Sequence, residues 1–353
     1  MILEESYRLN NGVEIPKLAL GTWLIDDDKV ADAVRSAVEI GYRHVDSAQA
    51  YGNERGVGEG VRNCGVPREQ LFVTSKVAAE HKTYSAAAAS IDETLRVTGL
   101  DYLDMMIIHS PQPWVEVNQS DDRHEAGNVE AYRALEDALA AGKLRAIGVS
   151  NFLESDLQNI LNHCEVKPAV DQLLAHIGNT PFELAAFCEN NDILVEAYSP
   201  IAHGEADKIG AIVKMAERYD VSVAQLCIRY VLQLGMVALP KTANLEHMRS
   251  NADVDFEISA HGNTEGRRAH QRLWGQLVLP RVRRQAVGAA PRCLLGNADH
   301  QTLGKHYEQH PCRILLCNRH HQARRKGPGR GTGCGYLRDC AADALHEHRP
   351  QLE

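Results

Sequence analysis

Four ionisable side chains stand at or just beyond the ends of short apolar runs: Asp46 in "YRHVDSA", Tyr51 shortly after it, Lys76 in "QLFVTSKV" and His109 in "LDMMIIH". A Lys close to a Tyr hydroxyl favours the phenolate, and a carboxylate that anchors the Lys fixes its position. Together they can bring a phenol toward the operating pH as a proton donor. A His beside them can hold a carbonyl oxygen by hydrogen bond. That set is equipped to protonate an oxygen while hydride arrives at the neighbouring carbon. Taken singly, Asp46 and Tyr51 read as a cap and a rim aromatic, and Lys76 as a solvated surface residue. Their recurrence at the ends of successive runs is what makes them one site.

Such a site needs strands that deliver all four side chains to one end of a sheet. From Leu18 to Leu239 short apolar runs alternate with longer amphipathic stretches, the pattern of βα units around a parallel sheet. The strand candidates are "KLALGTW", "YRHVDSA", "QLFVTSKV", "LDMMIIH", "LRAIGVSN", "AVDQLLA", "ILVEAYSP" and "MVALPK". Helices are expected over 28–40, 84–97, 128–141 and 222–234, where apolar residues recur at helical spacing. Gly41, Gly99, Gly142 and Gly235 follow these patterns as helix ends. Units of this number and length predict a closed (β/α)8 TIM barrel, with function at the C-terminal ends of its strands. Upstream, "YRLNNGVEIP" places Asn11-Gly12 between two alternating runs and predicts a β-hairpin with a type I′ turn, a plug for the N-terminal end of the barrel.

The 353 residues carry a net charge of −9, which averages two unlike segments. Residues 1–260 hold 22 of the 38 Lys and Arg and 40 of the 47 Asp and Glu, leaving 16 basic and 7 acidic residues in 261–353. Cys64, Cys164, Cys188 and Cys227 are scattered without metal spacing, as expected of small apolar residues in a reducing compartment. No metal site is expected. The start, "MILEESYRLN", lacks a signal-peptide core, and no apolar run approaches membrane-spanning length. The expectation is a cytoplasmic monomer without membrane or nucleic-acid partners.

"GYRHVDSAQAYGNERGVGEG" closely resembles the first signature of the aldo-keto reductases, "GVSNF" matches the end of their fifth barrel strand, and "LPKTANLEHMRSN" is similar to their final signature. The resemblance covers residues 6–258, and within the family it is to the bacterial diketogluconate-reductase-like branch. It implies NAD(P)H-dependent reduction of an aldehyde or ketone, with Asp46, Tyr51, Lys76 and His109 as a catalytic tetrad. Tyr51 would be the acid, Lys76 and Asp46 its tuning pair, and His109 the substrate-orienting group. A non-catalytic, NADPH-binding redox-sensing barrel is the alternative that relatives suggest. No G-x-G-x-x-G follows a strand, in keeping with a cofactor bound without a Rossmann fold.

The same resemblance implies the cofactor contacts. Ser150 and Asn151, joined by Gln172, would hold the nicotinamide carboxamide, and Tyr198 would stack on the ring. Gly21, Thr22 and Trp23 would border the cofactor and the substrate pocket. Ser199, Pro200 and Ile201 would start the loop over the pyrophosphate. Lys241 and Thr242 would meet the adenosine 2′-phosphate and Asn251 the adenine. The substrate pocket is expected to include Trp23, Tyr51, His109, Ser110 and Trp114. His247 stands where most members place Arg, so NADPH is the expected cofactor with NADH also admissible, because His lacks the bidentate fork that Arg offers a phosphate. Asp171 replaces the usual Asn before Gln172, and Ser110 replaces a Trp common after the tetrad His. Read without the resemblance, Ser150 and Asn151 could cap the helix beginning near Leu153, and Trp114 and Phe152 fit pocket wall and core equally.

After Ala260, Arg, His, Cys and Gly crowd together without period. A zinc module from His306, His310, Cys312, Cys317 and His320 matches no regular Cys/His spacing. Clusters such as "RVRRQ" could bind phosphates non-specifically. The favoured reading is a shifted frame. Codons exist for residues 261–285 that, read one base later, encode METLKAAERIKDYGASSSFPVFGG, an amphipathic helix, a capping Gly and a Ser-rich loop, which resembles how aldo-keto reductases finish. The chain therefore divides into a barrel over 1–260 and a non-family basic tail over 261–353, expected to be disordered because it cannot bury enough apolar area to offset its ordering entropy.

Overall fold

The computed structural model describes residues 1–117 and 119–259. The expectations for the tail, its disorder and its shifted frame included, lie outside the described residues.

A hairpin opens the chain. Strands β1 (Ser6–Arg8) and β2 (Glu14–Pro16) pair antiparallel, with Arg8 opposite Glu14. The turn differs from the expected type I′. Only Gly12 has positive φ, at 88°, and its N–H donates to Leu9 O, while Leu9 N donates to Val13 O. The loop is therefore three residues, Asn10 to Gly12, closed by a left-handed Gly, and Asn11 never enters the left-handed region that a type I′ turn demands of both central residues. Both asparagines look outward instead: Asn10 Nδ2 donates to Pro168 O and Asn11 Nδ2 to Arg145 O, which fastens the hairpin to the barrel base.

All eight expected barrel strands form: β3 (Ala19–Gly21), β4 (His44–Asp46), β5 (Phe72–Val77), β6 (Leu103–Ile108), β7 (Leu144–Ser150), β8 (Val170–Leu174), β9 (Leu194–Tyr198) and β10 (Val237–Leu239). Each runs parallel to the next in sequence order. Closure between first and last comes from Ala238 N donating to Lys17 O and Gly21 N donating to Pro240 O. Period-two alternation sorts each strand's side chains. Val45, Val73, Val77, Met106, Ile108, Ile147 and Val149 face the helical layer, while Ala19, Phe72, Met105, Ile107, Ala146, Val170, Val237 and Leu239 face inward. Leu9 and Ile15 of the hairpin join that inner cluster, so the lower end of the barrel is stopped with apolar side chains.

The outer layer includes α1 (Asp27–Ile40), α2 (Glu54–Arg62), α3 (Tyr84–Thr98), α4 (Glu125–Ala140), α5 (Glu154–His163), α6 (Phe182–Asn190), α7 (Gly210–Arg218), α8 (Val223–Gln233) and α9 (Leu245–Ala252). Local signals start several of them. Ser222 and Gln225 cap α8 reciprocally, and Asn244 accepts from Glu246 N and His247 N at the head of α9. The run "ERGVGEG" makes α2 thin on one side. A Cβ on Gly56 would lie 2.1 Å from Asp27 O and one on Gly58 2.0 Å from Thr98 O, so only glycine lets α2 sit against α1 and α3. That packing holds the segment just before α2, which carries Tyr51. No helix among the described residues is long and apolar enough to cross a membrane.

Candidate active site

At the upper end of the barrel the inward positions turn polar. The Lys76 ammonium is fully buried, and it donates to Asp46 Oδ1 at 2.7 Å and Oδ2 at 2.8 Å, to Ser47 O at 2.8 Å and to Tyr51 Oη at 3.3 Å. An ammonium has no lone pair, so in this contact the phenol oxygen accepts and its own hydrogen is directed away from Lys76. The Tyr51 and His109 rings meet edge to face, centroids 5.6 Å apart, and His109 meets Trp114 the same way at 4.9 Å. Burial first and the Lys76 charge second hold the His109 imidazole well below its ordinary pKa, so it is neutral near pH 7. A neutral His109 can orient an oxygen but is a poor proton source, which leaves Tyr51, beside a cation, as the group able to give one.

A second chain of contacts crosses the mouth. Tyr198 Oη donates to Asn151 Oδ1 at 2.8 Å, Asn151 Nδ2 donates to His109 O at 3.0 Å, and Ser150 Oγ donates to Gln172 O at 2.8 Å. Gln172 Nε2 donates to Asp46 Oδ2 at 2.9 Å, which joins this chain to the first. Asn151 and Ser199 have left-handed backbones, φ 62° and 51°, and so does Leu24 at 58°. All three lie just past strand ends, where strained non-glycine residues commonly shape a site.

The expected residues therefore fall into groups. Asp46, Tyr51, Lys76, His109, Ser150, Asn151, Gln172, Tyr198 and Trp114 are linked through the contacts above. Thr22 joins them by donating Oγ1 to Asp46 O at 2.9 Å, and Trp23 faces His203 edge-on at 5.7 Å. Ser199 Oγ lies 3.2 Å from His203 Nε2. Pro200 is buried and Ile201 half-buried on that same loop. Lys241 and Thr242 follow β10, with Lys241 bridged to Gly21 at the mouth, and His247 and Asn251 lie on α9. Ser110 is buried with its hydroxyl accepting from Gln112 N, so its side chain serves its own loop. The helix-cap reading of Ser150 and Asn151 fails, because α5 is preceded by Leu153, whose N–H donates to Asp156 Oδ2. Phe152 is fully buried in the helical layer's core, whereas Trp114 is half-buried against His109.

Several supporting residues carry no signal in the strand and helix patterns. Gln49 accepts from Ala78 N and donates to Ser90 O and Thr94 Oγ1, which clamps the short helical turn bearing Tyr51. Asn53, fully buried, donates to Thr22 O and Ile25 O and accepts from Ser47 Oγ. Lys82 donates to Ser110 O and Asn128 Oδ1, both at 2.8 Å, beneath the loop that carries Trp114, and burial lowers its amine to about 7. Asp171 faces the helical layer, and burial raises its carboxyl far above the ordinary range. The motif "YGNE" could have flagged Asn53, since an Asn so close to Tyr51 has backbone groups within reach.

The aldo/keto reductase family model matches residues 17–264. This chain belongs to the aldo-keto reductase family. The glyoxal reductase of Bacillus subtilis (strain 168) is 38% identical to this aldo-keto reductase over 259 residues, covering 73% of this chain and 90% of the relative. Among solved structures, an aldo/keto reductase from Brucella melitensis superposes with a TM-score of 0.69 at 31% identity, over 77% of this chain and 99% of its own. The Bombyx mori aldo-keto reductase, solved in complex with NADP, gives a TM-score of 0.66 at 28% identity, over 77% and 92%. This reductase is thus an oxidoreductase of a family that acts on carbonyl compounds with a nicotinamide cofactor.

Proposed function

We propose that the protein reduces small aldehydes or ketones to alcohols with NAD(P)H, and that Tyr51 gives the proton. The observation that carries this is the Lys76 ammonium, held by Asp46 and Ser47 O with its remaining reach spent on Tyr51 Oη. A substrate carbonyl oxygen placed between Tyr51 and His109 receives a hydrogen bond from each. The nicotinamide, when bound, supplies hydride to the carbonyl carbon. Tyr51 passes its proton to the oxygen, the C=O bond becomes C–O–H, and the phenolate left behind is stabilised by the neighbouring ammonium.

The residues present fit a nicotinamide dinucleotide. Gln172 has its amide nitrogen engaged and its oxygen without a partner among the described residues, which suits the NH2 of a carboxamide. Ser150 and Asn151 lie beside it, and Tyr198 is fixed at the rim by its bond to Asn151. Gly21, Thr22 and Trp23, with Ser199, Pro200 and Ile201, would border the dinucleotide, and Lys241, Thr242, His247 and Asn251 would meet its adenosine end. With His247 in place of a forked guanidinium, both NADPH and NADH would be accepted. The substrate would lie against Trp23 and Trp114.

We also propose that 1–260 is the catalytic unit. The family match ends at residue 264, which suits a tail read out of frame, and sequencing the gene across codon 260 tests it. For activity, the test is NADPH and NADH oxidation over a panel of aldehydes and ketones, glyoxal among them given the Bacillus relative, with parallel fluorescence titration of each cofactor. Turnover with binding supports the reductase; binding without turnover on any carbonyl would overturn it in favour of a sensor.

A further inference from the structure

Glu196 sits on β9 directly beside Gln172 of β8, in register and fully buried in the barrel interior. The tetrad does not include it. Gln172 Nε2 donates to Asp46 Oδ2 at 2.9 Å and to Glu196 Oε2 at 3.1 Å. Asp46 is ion-paired with Lys76 and accepts only, so the amide terminus beside it is the NH2 end. Glu196 then receives the second N–H. With both hydrogens assigned, the amide oxygen is the one terminus left to accept a further hydrogen bond, and Ser150 of the neighbouring strand lies beside Gln172.

We propose that Glu196 is a positioning residue that locks the Gln172 amide, so that its oxygen is presented to the carboxamide NH2 of the nicotinamide. This rests on the reductase reading above. Without Glu196, one N–H of a buried amide has no acceptor, and rotation of the amide competes with the productive orientation. Glu196 Oε1 has no hydrogen-bond partner among the described residues and lies 4.0 Å from His44 Nε2. The carboxyl is buried beside Asp46, conditions that keep it protonated at neutral pH, so Gln at this position is a near isostere that still offers an oxygen to Gln172.

The test measures dissociation constants by fluorescence for NADPH and for its 3-acetylpyridine analogue, which has a methyl in place of the NH2. Wild type is expected to prefer NADPH by about tenfold, the worth of one hydrogen bond lost. Glu196→Met should weaken NADPH to the level of the analogue while leaving the analogue's affinity unchanged, matching Gln172→Met. Glu196→Gln should restore the preference. A merely structural role would weaken both ligands together, and that result, or an unaltered preference in Glu196→Met, would overturn the proposal. If Glu196→Met does not fold, Glu196→Ala serves in its place with the same expected loss. Failure of wild type to bind either NADPH or NADH would instead overturn the reductase reading and this proposal with it.

Discussion

Lys76 and Tyr51 touch twice: the ammonium nitrogen is 3.3 Å from the phenol oxygen and 5.0 Å from the centre of the ring. The cation donates to the oxygen from beyond the ring's edge, while the ring itself packs edge to face on His109, so the ring's position does not rest on its hydroxyl alone.

Tyr51→Phe should for that reason keep the mouth intact while removing the proton donor. Carbonyl reduction is expected to fall by about a thousandfold or more, with cofactor affinity within about twofold of wild type. Steady-state assay and fluorescence titration on one preparation check this, and retained turnover would remove Tyr51 from the role of acid.

Lys76→Met should do more damage, because it strands the Asp46 carboxylate in the barrel interior. A loss of about 3 kcal/mol or more is expected in urea unfolding. Combining it with Asp46→Asn should recover much of that stability and none of the activity, which separates the pair's energetic role from its chemical one.

Glu196 also makes a pH prediction. Burial and Asp46 raise its carboxyl from 4.5 to about 8, so between those values the folded chain holds a proton that the unfolded chain has released. Stability from this group is present below about 4.5 and is lost as pH rises through about 8. The stability gap between Glu196→Gln and wild type should widen in favour of Gln over that window, by on the order of 5 kcal/mol, and flatten above it. His44 facing it, lowered by burial to about 4, stays neutral throughout and cancels in the difference. A pH-independent gap would place a charged Glu196 in the folded protein.

Gly58→Ala tests the packing behind Tyr51. With a backbone oxygen 2.0 Å from the new methyl, α2 must move, and a loss of about 2 kcal/mol or more is expected by thermal or urea unfolding. Wild-type stability in this variant would mean that α2 is free to shift.

His247→Arg should raise the preference for NADPH over NADH by about tenfold, with a steeper salt dependence, if the α9 cluster receives the 2′-phosphate. Competitive titration at two salt concentrations reads both effects.

The strands and their order are legible because each is a short apolar run, buried on both faces, set between amphipathic helices, and Asp46, Lys76 and His109 stand out by ending such runs. Two kinds of feature were not legible. The hairpin turn is not, because Asn-Gly is compatible with more than one loop length, and the longer one found here is accompanied by contacts of Asn10 and Asn11 with the distant barrel base. Glu196 and Gln49 were missed because a polar residue inside a strand or turn has no periodicity of its own. Its meaning lies in partners from distant segments, such as Ala78 and Ser90 for Gln49.

Leu9 and Ile15 stop the lower end of the barrel, so among the described residues the polar upper end is the side left for a ligand to approach. If a cofactor lies beneath the substrate there, as proposed, the deeper of the two is expected to enter first and leave last.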